Sequence, residues 1–417
     1  MAEMKNGVIV VGTGHAGVQA AASLREEGYS GPLILIGDEK DLPYHKPPLS
    51  KTFIKDAEAR PQLLRGESFY SGSSIDLRPG LRVTRLDPAG RRLDLADGAS
   101  LPFDRLILAT GSSPRRLPLP DATLSGVVSL RSLGDARLIR ELSVEASEIV
   151  ILGGGFIGLE IAATLATGGR TVTVVEAADR LLGRAVAPVV AAHVRRRLEV
   201  AGVRVLTGET VQRLESAAGR VTGAITGSGE RLPAQMVVIG IGAVPNVELA
   251  EDAGLSIGNG VRVDARMRTS VPEILAVGDA VNYRHWFTGE QVRLESVQNA
   301  TDQAKLAART IVGHEDDYGA VPWFWSDIGD MKLQMVGLPG GWDRSVVSGE
   351  PEDNRFSVYH YAGGRLLGIE SVNRPADHML GRKMLAAGYS PPPEVAAAGP
   401  DAVKAALAEH QHKVAAE

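Results

Sequence analysis

The sequence predicts an α/β protein with two doubly wound parallel units and a separate C-terminal α+β domain. Three observations predict this fold. A short β-branched run, a G-x-G-x-x-G loop and an apolar helical pattern follow one another twice, starting at Val8 and at Val150. In each copy the helical pattern stops at glycine and a second buried run follows, which gives β-loop-α-β twice. After Pro322 the pattern changes to strands joined by Gly-rich turns.

Composition narrows the classes of protein that fit. A chain of 417 residues is long enough for nearly three domains at roughly 150 residues each. The 45 basic and 50 acidic residues give a net charge of −5, which argues against a nucleic-acid binder held by a global basic field. Cysteine is absent, which excludes disulfides, thiolate metal sites, thiol nucleophiles and a dithiol redox relay.

The first copy begins with a buried strand at 8–11 and continues into the loop Gly12–Gly17. Ala16, Ala20 and Leu24 recur at helical spacing, and the helix is expected to stop near Gly28, before a second strand at 33–36. The second copy repeats this order, with a strand at 150–152, a loop at 153–158, a helix that stops near 168–169, and a strand at 171–175.

The remaining elements follow from apolar runs and turn residues. Three apolar runs are predicted to form buried strands. The first two end in a turn, and the third ends in an acidic residue. The predicted strands are 106–111, 236–241 and 274–279, with strands and Gly-rich turns in 357–367. A helix is predicted at 296–313 and a short surface helix at 401–416. Among the histidines only His410 and His412 lie close together in sequence, so no metal site is predicted.

The two glycine loops predict phosphate binding. A dinucleotide pyrophosphate needs backbone N–H donors at a helix N-terminus with no side chains in the way, and three glycines provide this. Each copy also has an acidic residue near the end of its second strand, at the position where dinucleotide-binding folds have an acid that hydrogen-bonds the ribose. These loop and acidic residues are Gly12, Gly14, Gly17 and Asp38 or Glu39 in the first copy, and Gly153, Gly155, Gly158 and Glu176 in the second.

Glu176 favours NAD over NADP, because a carboxylate accepts hydrogen bonds from ribose hydroxyls and repels a 2′-phosphate. Arg180 and Arg184 are close enough in sequence to contact a phosphate. An ordinary solvent-exposed position is an equal alternative for both arginines. One nucleotide cannot fill both sites. A tightly held FAD together with a diffusing NADH fills both and supplies the electron carrier that a chain without cysteine needs.

The chain resembles the NADH-dependent ferredoxin reductases that feed cytochrome monooxygenases and ring-hydroxylating oxygenases. The likeness covers essentially the whole sequence, and the segments Pro-Pro-Leu-Ser-Lys and Trp-Phe-Trp-Ser-Asp narrow it to this branch of the flavoproteins. The segments that carry it are 12–17, 47–51, 109–111, 153–160, 242–246, 276–279, 295–300 and 323–327.

The resemblance implies a discontinuous FAD domain at 1–113 and 245–320, an NAD domain at 114–244 and a C-terminal domain at 321–417. It implies that the first loop binds FAD and the second NADH. Asp279 would accept a ribityl hydroxyl, and Val297 would place a helix N-terminus at the pyrimidine edge of the flavin. The further FAD residues that it implies are Ala16, Lys46, Lys51, Val83, Ala109, Thr110, Gly111, Arg131 and Gly278, and the further NAD residues are Ile157, Glu160 and Gly242.

Lys51 and Glu160 resemble a catalytic pair beside the reactive nitrogen of the flavin. The cation would favour hydride arrival and the carboxylate would hold the lysine in place. The alternative is an ordinary surface ion pair, or no contact. Trp325 and Lys305 are the predicted docking residues for the protein partner; core packing and a solvated helix face are the alternatives for them.

The predicted activity is therefore hydride transfer from NADH to FAD, followed by single-electron transfer to a 2Fe–2S ferredoxin. A rubredoxin reductase and a signalling flavoprotein like the apoptosis-inducing factors are the alternatives. The sequence predicts a cytoplasmic protein that does not bind a membrane, because the first strand begins by Val8 and every apolar stretch is far shorter than the ~18 residues that span a bilayer. It also predicts a monomer or dimer that does not bind nucleic acid.

Overall fold

A computed structural model describes residues 5–183, 185–338 and 340–416. The first strands are β1 (Val8–Val11), β2 (Leu33–Gly37), β3 (Asp76–Pro79), β4 (Val83–Asp87), β5 (Arg92–Leu95), β6 (Ser100–Pro102), β7 (Arg105–Leu108), β8 (Ser112–Pro114), β9 (Val127–Ser129), β10 (Glu148–Leu152), β11 (Thr171–Glu176), β12 (Val203–Thr207), β13 (Val211–Ala217) and β14 (Arg220–Thr226). The later strands are β15 (Arg231–Pro233), β16 (Met236–Ile239), β17 (Ala243–Pro245), β18 (Ile257–Gly258), β19 (Gly260–Val263), β20 (Ile274–Ala276), β21 (Val281–Arg284), β22 (Gln291–Val292), β23 (Trp323–Ile328), β24 (Met331–Gly337), β25 (Arg344–Glu350), β26 (Arg355–Ala362) and β27 (Arg365–Val372). The helices are α1 (His15–Glu26), α2 (Thr52–Lys55), α3 (Glu67–Gly72), α4 (Leu133–Glu145), α5 (Phe156–Leu165), α6 (Pro188–Val200), α7 (Glu248–Asp252), α8 (Val297–Ile311), α9 (Pro375–Ala386), α10 (Pro393–Ala397) and α11 (Pro400–Ala416).

The chain forms two compact units that interleave along the sequence. Unit 1 contains the described residues up to Lys46, then Arg60–Ser113 and Ala243–Ala320. Unit 2 contains Pro47–Ala59, Pro114–Gly242 and the described residues from Val321 on. The short segment Pro47–Ala59 is therefore part of unit 2, although both of its sequence neighbours belong to unit 1.

Unit 1 is built on a five-stranded parallel sheet in the order β20-β7-β1-β2-β3. The central strand β1 reads Val-Ile-Val-Val and is buried along its whole length, as expected for a parallel strand covered on both faces. Helices α1 and α8 pack against each other, and their alanines allow close approach. Two smaller sheets, β4-β5-β6 and β18-β19-β21-β22, also belong to the unit.

Unit 2 contains a second five-stranded parallel sheet in the order β12-β11-β10-β16-β9. Strands β10, β11 and β12 are neighbours in this sheet, with β10 central and β12 at the edge, as β1, β2 and β3 are in unit 1. The duplication in the sequence is therefore a duplication of topology, and the predicted pair of doubly wound sheets is confirmed. The antiparallel sheet β13-β14-β15 packs against this parallel sheet, and its residues Leu214, Val221 and Leu232 are buried in the shared core.

The C-terminal part of unit 2 is a five-stranded antiparallel sheet in the order β23-β24-β27-β26-β25, with α9, α10 and α11 packed on it. This confirms the predicted α+β domain. The surface helix predicted near the C-terminus is α11, whose described residues are mostly exposed. Val403 and Leu407 of α11 are buried in the C-terminal core, and the ring of His410 stacks on Tyr389 with centroids 4.5 Å apart.

Element boundaries agree with the sequence patterns within a few residues. The helix predicted at 296–313 is α8, and the side chain of Ser296 caps it by accepting a hydrogen bond from the backbone N–H of Asn299 at 3.1 Å. None of the helices in the described ranges combines the length and the apolar character that crossing a membrane requires.

Candidate active site

The three glycines of the first loop have different surroundings. Gly12 has φ +113°, and a Cβ there would lie 2.1 Å from the carbonyl oxygen of Ala109. A Cβ on Gly17 would lie 1.7 Å from the carbonyl oxygen of Gly12, so this glycine lets α1 pack against β1. Gly14, the N-cap residue of α1, has no protein atom within 4 Å of that position. The first and third glycines are required by the fold, and the middle one leaves open space.

The second loop repeats this arrangement. Gly153 has φ +106°, and a Cβ there would lie 2.4 Å from the carbonyl oxygen of Gly240. A Cβ on Gly158 would lie 2.5 Å from the carbonyl oxygen of Gly153, whereas the nearest atom to one on Gly155 is 4.0 Å away. Gly155 is the N-cap residue of α5, and no side chain caps that helix.

Both loops therefore fit the pyrophosphate of a dinucleotide. Each presents the uncapped N-terminus of a helix, where backbone N–H groups and the helix dipole favour an anion. Each also leaves open the space that a side chain at the middle glycine would fill. Two such cradles in one chain fit two nucleotide cofactors.

The acids that follow the two second strands are arranged differently. Glu176, the last residue of β11, accepts hydrogen bonds from the backbone N–H groups of Gly154 at 2.6 Å and Ala178 at 2.7 Å. In unit 1 the register of β1 and β2 places Gly37 at the equivalent position, and the side chain of Thr13 lies 2.2 Å from where its Cβ would be. The first loop therefore has a hydroxyl side chain where the second has a carboxylate.

Asp38 and Glu39 come after this point and differ in their partners. Asp38 is exposed directly after β2. Glu39 accepts hydrogen bonds from the hydroxyl of Tyr44 and from Lys46 Nζ, the latter at 3.1 Å. Since Glu39 already has these partners, Asp38 is the better placed of the two acids to bind a ribose.

The other predicted FAD residues of unit 1 follow the carboxyl ends of adjacent parallel strands. Ala109, Thr110 and Gly111 follow β7, and Gly278 and Asp279 follow β20. A Cβ on Gly278 would lie 3.1 Å from Cβ of Ala16, so the turn after β20 closely approaches the start of α1. Ligands of open α/β sheets bind at this edge. Val297 is the first residue of α8, Val83 begins β4, and Lys305 is exposed on α8.

The structure brings Lys51 and Glu160 together. Lys51 Nζ lies 2.8 Å from Oε1 of Glu160, and the side chains are 20% and 7% exposed. Lys51 follows a short 3-10 turn at Pro47–Ser50, and Glu160 projects from the second turn of α5, the helix that the second glycine loop opens. A carboxylate this deeply buried needs several donors, and the lysine is one of them.

The remaining predicted residues of unit 2 lie at the start of α5, after β16, before α4 and on the C-terminal sheet. Ile157 is apolar, 48% exposed and located at the start of α5, as a ligand-covered residue would be. Gly242 has φ +106° and an open Cβ position. Arg131 precedes the capping box of α4, and its backbone N–H donates to Asp135 at 2.9 Å. Trp325 is half-buried on β23, with its ring centroid 5.5 Å from that of Trp323.

Sequence reasoning missed three contacts that hold these residues. Oγ of Ser50 and Oγ of Ser326 donate to the carboxylate of Glu160. The side-chain amide of Asn246 donates to the backbone carbonyl oxygen of Thr110 at 2.8 Å, and the backbone carbonyl oxygen of Asn246 accepts from Thr110 Oγ1 at 2.8 Å. All three lie inside motifs that the resemblance rests on, which was the available signal.

Two nucleotide cradles, an oriented lysine–carboxylate pair and the absence of cysteine define a flavin- and nicotinamide-dependent oxidoreductase without a redox disulfide. Comparison with known proteins agrees. Residues 6–304 match the family model described as pyridine nucleotide-disulphide oxidoreductase, and residues 323–407 match the model described as reductase C-terminal. The chain belongs to the pyridine nucleotide-disulphide oxidoreductase family.

Individual relatives match along nearly the whole chain. Rhodocoxin reductase from Rhodococcus erythropolis is 42% identical over 97% of this chain and 95% of its own length. Rubredoxin-NAD(+) reductase from Pseudomonas putida is 40% identical over 88% of this chain and 96% of its own length. These matches confirm the resemblance that the motifs indicated.

Solved structures give the same result. The ferredoxin reductase of the CYP199A2 system from Rhodopseudomonas palustris is 42% identical, with a TM-score of 0.94 over 96% of this chain and 100% of that one. The putidaredoxin reductase in its covalent complex with putidaredoxin is 37% identical, with a TM-score of 0.92 over 97% of this chain and 99% of that one. The chain is an oxidoreductase that uses FAD and a nicotinamide cofactor.

Proposed function

We propose that this chain is an NADH-dependent ferredoxin reductase that supplies electrons to a 2Fe–2S ferredoxin of a cytochrome monooxygenase or ring-hydroxylating oxygenase. The observation that carries the proposal is the pair of open glycine cradles in a chain without cysteine. Bound FAD supplies the chemistry of accepting a hydride and releasing electrons one at a time.

The residues of this chain contribute binding and orientation. The open loop at Gly14 and the carboxyl ends of β1, β7 and β20 hold the FAD, with Asp38 on its ribose. The loop at Gly155 holds the pyrophosphate of NADH, and Ile157 packs against the nicotinamide nucleotide. Glu160 fixes the ammonium of Lys51, which becomes a preorganised positive charge for hydride transfer. Catalysis in this scheme consists mainly of positioning.

The arrangement around Glu176 supports NADH as the donor. Its carboxylate is fixed at the end of β11 by two backbone N–H groups, where it accepts hydrogen bonds from ribose hydroxyls and repels a 2′-phosphate. Arg180 donates to the carbonyl oxygens of Gly183 at 2.6 Å and Val186 at 2.9 Å, so its guanidinium is engaged within its own loop. Arg184 lies outside the described residues.

The half-buried ring of Trp325 and the exposed ammonium of Lys305 remain the proposed contacts for the ferredoxin. Near Trp325, the guanidinium of Arg382 lies 4.8 Å from the ring centroid of its neighbour Trp323. An aromatic pair with an adjacent cation suits a small acidic partner. The domain boundaries, the monomeric or dimeric state, the cytoplasmic location and the lack of nucleic-acid binding stay predictions.

A rubredoxin reductase is the second candidate function. The relative named rubredoxin-NAD(+) reductase is nearly as similar to this chain as the relative named rhodocoxin reductase. A rubredoxin is also a small one-electron carrier, so the same surface and the same cofactors would serve it. The net charge of −5 does not favour the third alternative, a signalling flavoprotein that binds nucleic acid through a basic surface.

The test is a reconstituted electron-transfer assay with the purified protein. We expect NADH to bleach the bound flavin rapidly and NADPH to do so more slowly. Cytochrome c reduction should then depend on an added 2Fe–2S ferredoxin, and a rubredoxin at equal concentration should support less of it. Higher turnover with rubredoxin would favour the second candidate, and carrier-independent reduction would contradict both.

A further inference from the structure

The carboxylate of Glu160 binds three side chains that come from two distant segments of unit 2. Lys51 Nζ and Ser326 Oγ donate to Oε1 at 2.8 Å and 2.6 Å, and Ser50 Oγ donates to Oε2 at 2.5 Å. Ser50 and Lys51 lie in the segment Pro47–Ala59, and Ser326 lies on β23 of the C-terminal sheet. Glu160 itself lies on α5, so three parts of the unit meet at one carboxylate.

This site is buried, which makes the serine donors important. Glu160 is 6% exposed, Ser50 4% and Ser326 0%. An ionised carboxylate in such a place is costly unless its oxygens accept several hydrogen bonds. Ser50 has a second attachment to α5, because Thr164 Oγ1 donates to its backbone carbonyl oxygen at 3.0 Å. The turn that carries Lys51 is thus fixed to α5 on both sides of the ion pair.

We propose that Ser50 and Ser326 are positioning residues for the hydride-transfer step. Their hydroxyls hold the carboxylate of Glu160 in place, and Glu160 in turn fixes the ammonium of Lys51. Ser326 thereby makes the C-terminal sheet a structural part of the active site as well as a surface for the partner protein. This inference rests on the proposed function, since it assigns a role to the serines in that reaction.

The two serines are expected to differ in effect. Among the contacts described, Oε1 has two side-chain donors and Oε2 has only the hydroxyl of Ser50. Ser326→Ala leaves Oε1 with its lysine, whereas Ser50→Ala leaves Oε2 buried without a donor. A buried oxygen that loses its only donor loses more than one that keeps a charged partner.

The experiment compares Ser50→Ala and Ser326→Ala with the matched control Ser371→Ala, a fully buried serine of the same C-terminal sheet whose hydroxyl bonds to Ser357 instead. We expect the limiting rate of flavin reduction by NADH to fall roughly tenfold in Ser50→Ala and less in Ser326→Ala. The apparent Kd for NADH should change little, and the control should match the wild type.

The same substitutions made in Glu160→Gln separate a positioning role from general destabilisation. If the serines act through the carboxylate, they should have little further effect on the rate in that background. A second readout needs no turnover: Ser50→Ala should lower Tm, because it leaves a buried carboxylate oxygen without a donor, and this loss of Tm should be smaller in the Glu160→Gln background.

Rates in Ser50→Ala and Ser326→Ala equal to the wild type, or serine effects of undiminished size in Glu160→Gln, would overturn the inference. Failure of the proposed function would look different. In that case the wild type itself would not be reduced by NADH, while the difference in the Tm loss of Ser50→Ala between the wild-type and Glu160→Gln backgrounds would still report whether the serine supports the carboxylate.

Discussion

At the scale of single residues, the feature that matters most is the buried ion pair between Lys51 and Glu160. The two residues are 109 positions apart, and the structure places Nζ 2.8 Å from Oε1. An ion pair on the surface contributes little, but one that is buried and has further hydrogen bonds is a device for fixing a charge. This distinguishes the pair from the exposed salt bridges of the chain.

Lys51→Ala tests this charge. We expect the rate of flavin bleaching by NADH to fall roughly 10- to 100-fold, because a fixed cation at the reacting centre is lost. The flavin content of the purified protein should stay close to that of the wild type. Lys404→Ala, which removes an exposed lysine on α11, serves as the control in stopped-flow measurements. An unchanged bleaching rate would remove Lys51 from the mechanism.

His378 predicts a pH dependence of stability. Burial, together with the nearby Arg382 and Lys332, lowers the pKa of His378 to about 4, and the residue is 2% exposed. In the unfolded chain a histidine titrates near ~6.5, so from there down to about pH 4 the unfolded state binds a proton that the folded state does not. Stability is therefore lost as the pH falls through this window, by at most about 3 kcal/mol.

The measurement is Tm between pH 7.5 and pH 5 for the wild type and for His378→Gln. The variant should lose less stability on acidification than the wild type does. His412→Gln, on the exposed face of α11, should follow the wild-type curve. Parallel curves for the wild type and His378→Gln would show that another group controls the dependence.

Sequence reasoning at this scale found the charged partners and missed the serines. Lys51 and Glu160 stand in motifs that carry the family resemblance, and that resemblance implied that they pair. The contacts of Ser50 and Ser326 with Glu160 span 110 and 166 positions. A serine hydroxyl has no charge or periodicity that would reveal such a partner before the fold is known.

At the scale of elements, the middle and the last glycine of each loop are expected to have different roles. The middle glycine leaves space for a ligand, and the last glycine allows the helix to pack against the strand. Gly14 has no protein atom near its Cβ position, whereas a Cβ on Gly17 would lie 1.7 Å from the backbone of Gly12. The first position borders open space, and the second faces the protein itself.

Gly14→Ala should therefore fold normally and lose FAD affinity, because its methyl group enters the space that the pyrophosphate needs. Gly17→Ala should fold poorly, since a backbone clash cannot be relieved by side-chain movement. Flavin release measured by fluorescence, alongside Tm of the apoprotein, distinguishes the two. Normal flavin content in Gly14→Ala would contradict the assignment of this loop to the cofactor.

The C-terminal helix α11 gives an independent prediction at this scale. Leu407 is 4% exposed and packs in the C-terminal core, while Val414 on the same helix is 59% exposed. Leu407→Ala should cost about 2–4 kcal/mol through lost burial and a cavity. Val414→Ala should stay within about 0.5 kcal/mol of the wild type. Urea unfolding measures both, and equal midpoints would mean that the helix is not docked.

Periodicity predicted the existence of the helices and strands well and their surroundings less well. The strands β1 and β10 were recognised because a parallel strand buried on both faces is a continuous apolar run. The docking of α11 through Val403 and Leu407 was not predicted, because these two residues stand among alanines and polar residues and give only a weak amphipathic signal.

At the scale of the whole molecule, one supersecondary plan is used twice. In each parallel sheet a central strand leads into a glycine loop and a helix, and the next two strands continue the sheet to one edge. These strands are β1, β2 and β3 in unit 1, and β10, β11 and β12 in unit 2. The sequence repeat allowed this to be predicted. It did not indicate that the segment Pro47–Ala59 belongs to unit 2, because that assignment depends on contacts with α4 and α5 rather than on any local pattern.

We propose that one chain holds FAD and NADH in two separate cradles and passes electrons between them. The sharpest test is anaerobic titration of the purified protein with NADH, followed by flavin absorbance. We expect one FAD per chain, fully bleached by one equivalent of NADH, and we expect Gly155→Ala to retain its FAD but to require a higher NADH concentration. A protein that takes up no FAD when it is supplied, or a flavin that NADH does not bleach, would rule out electron transfer between these two cofactors.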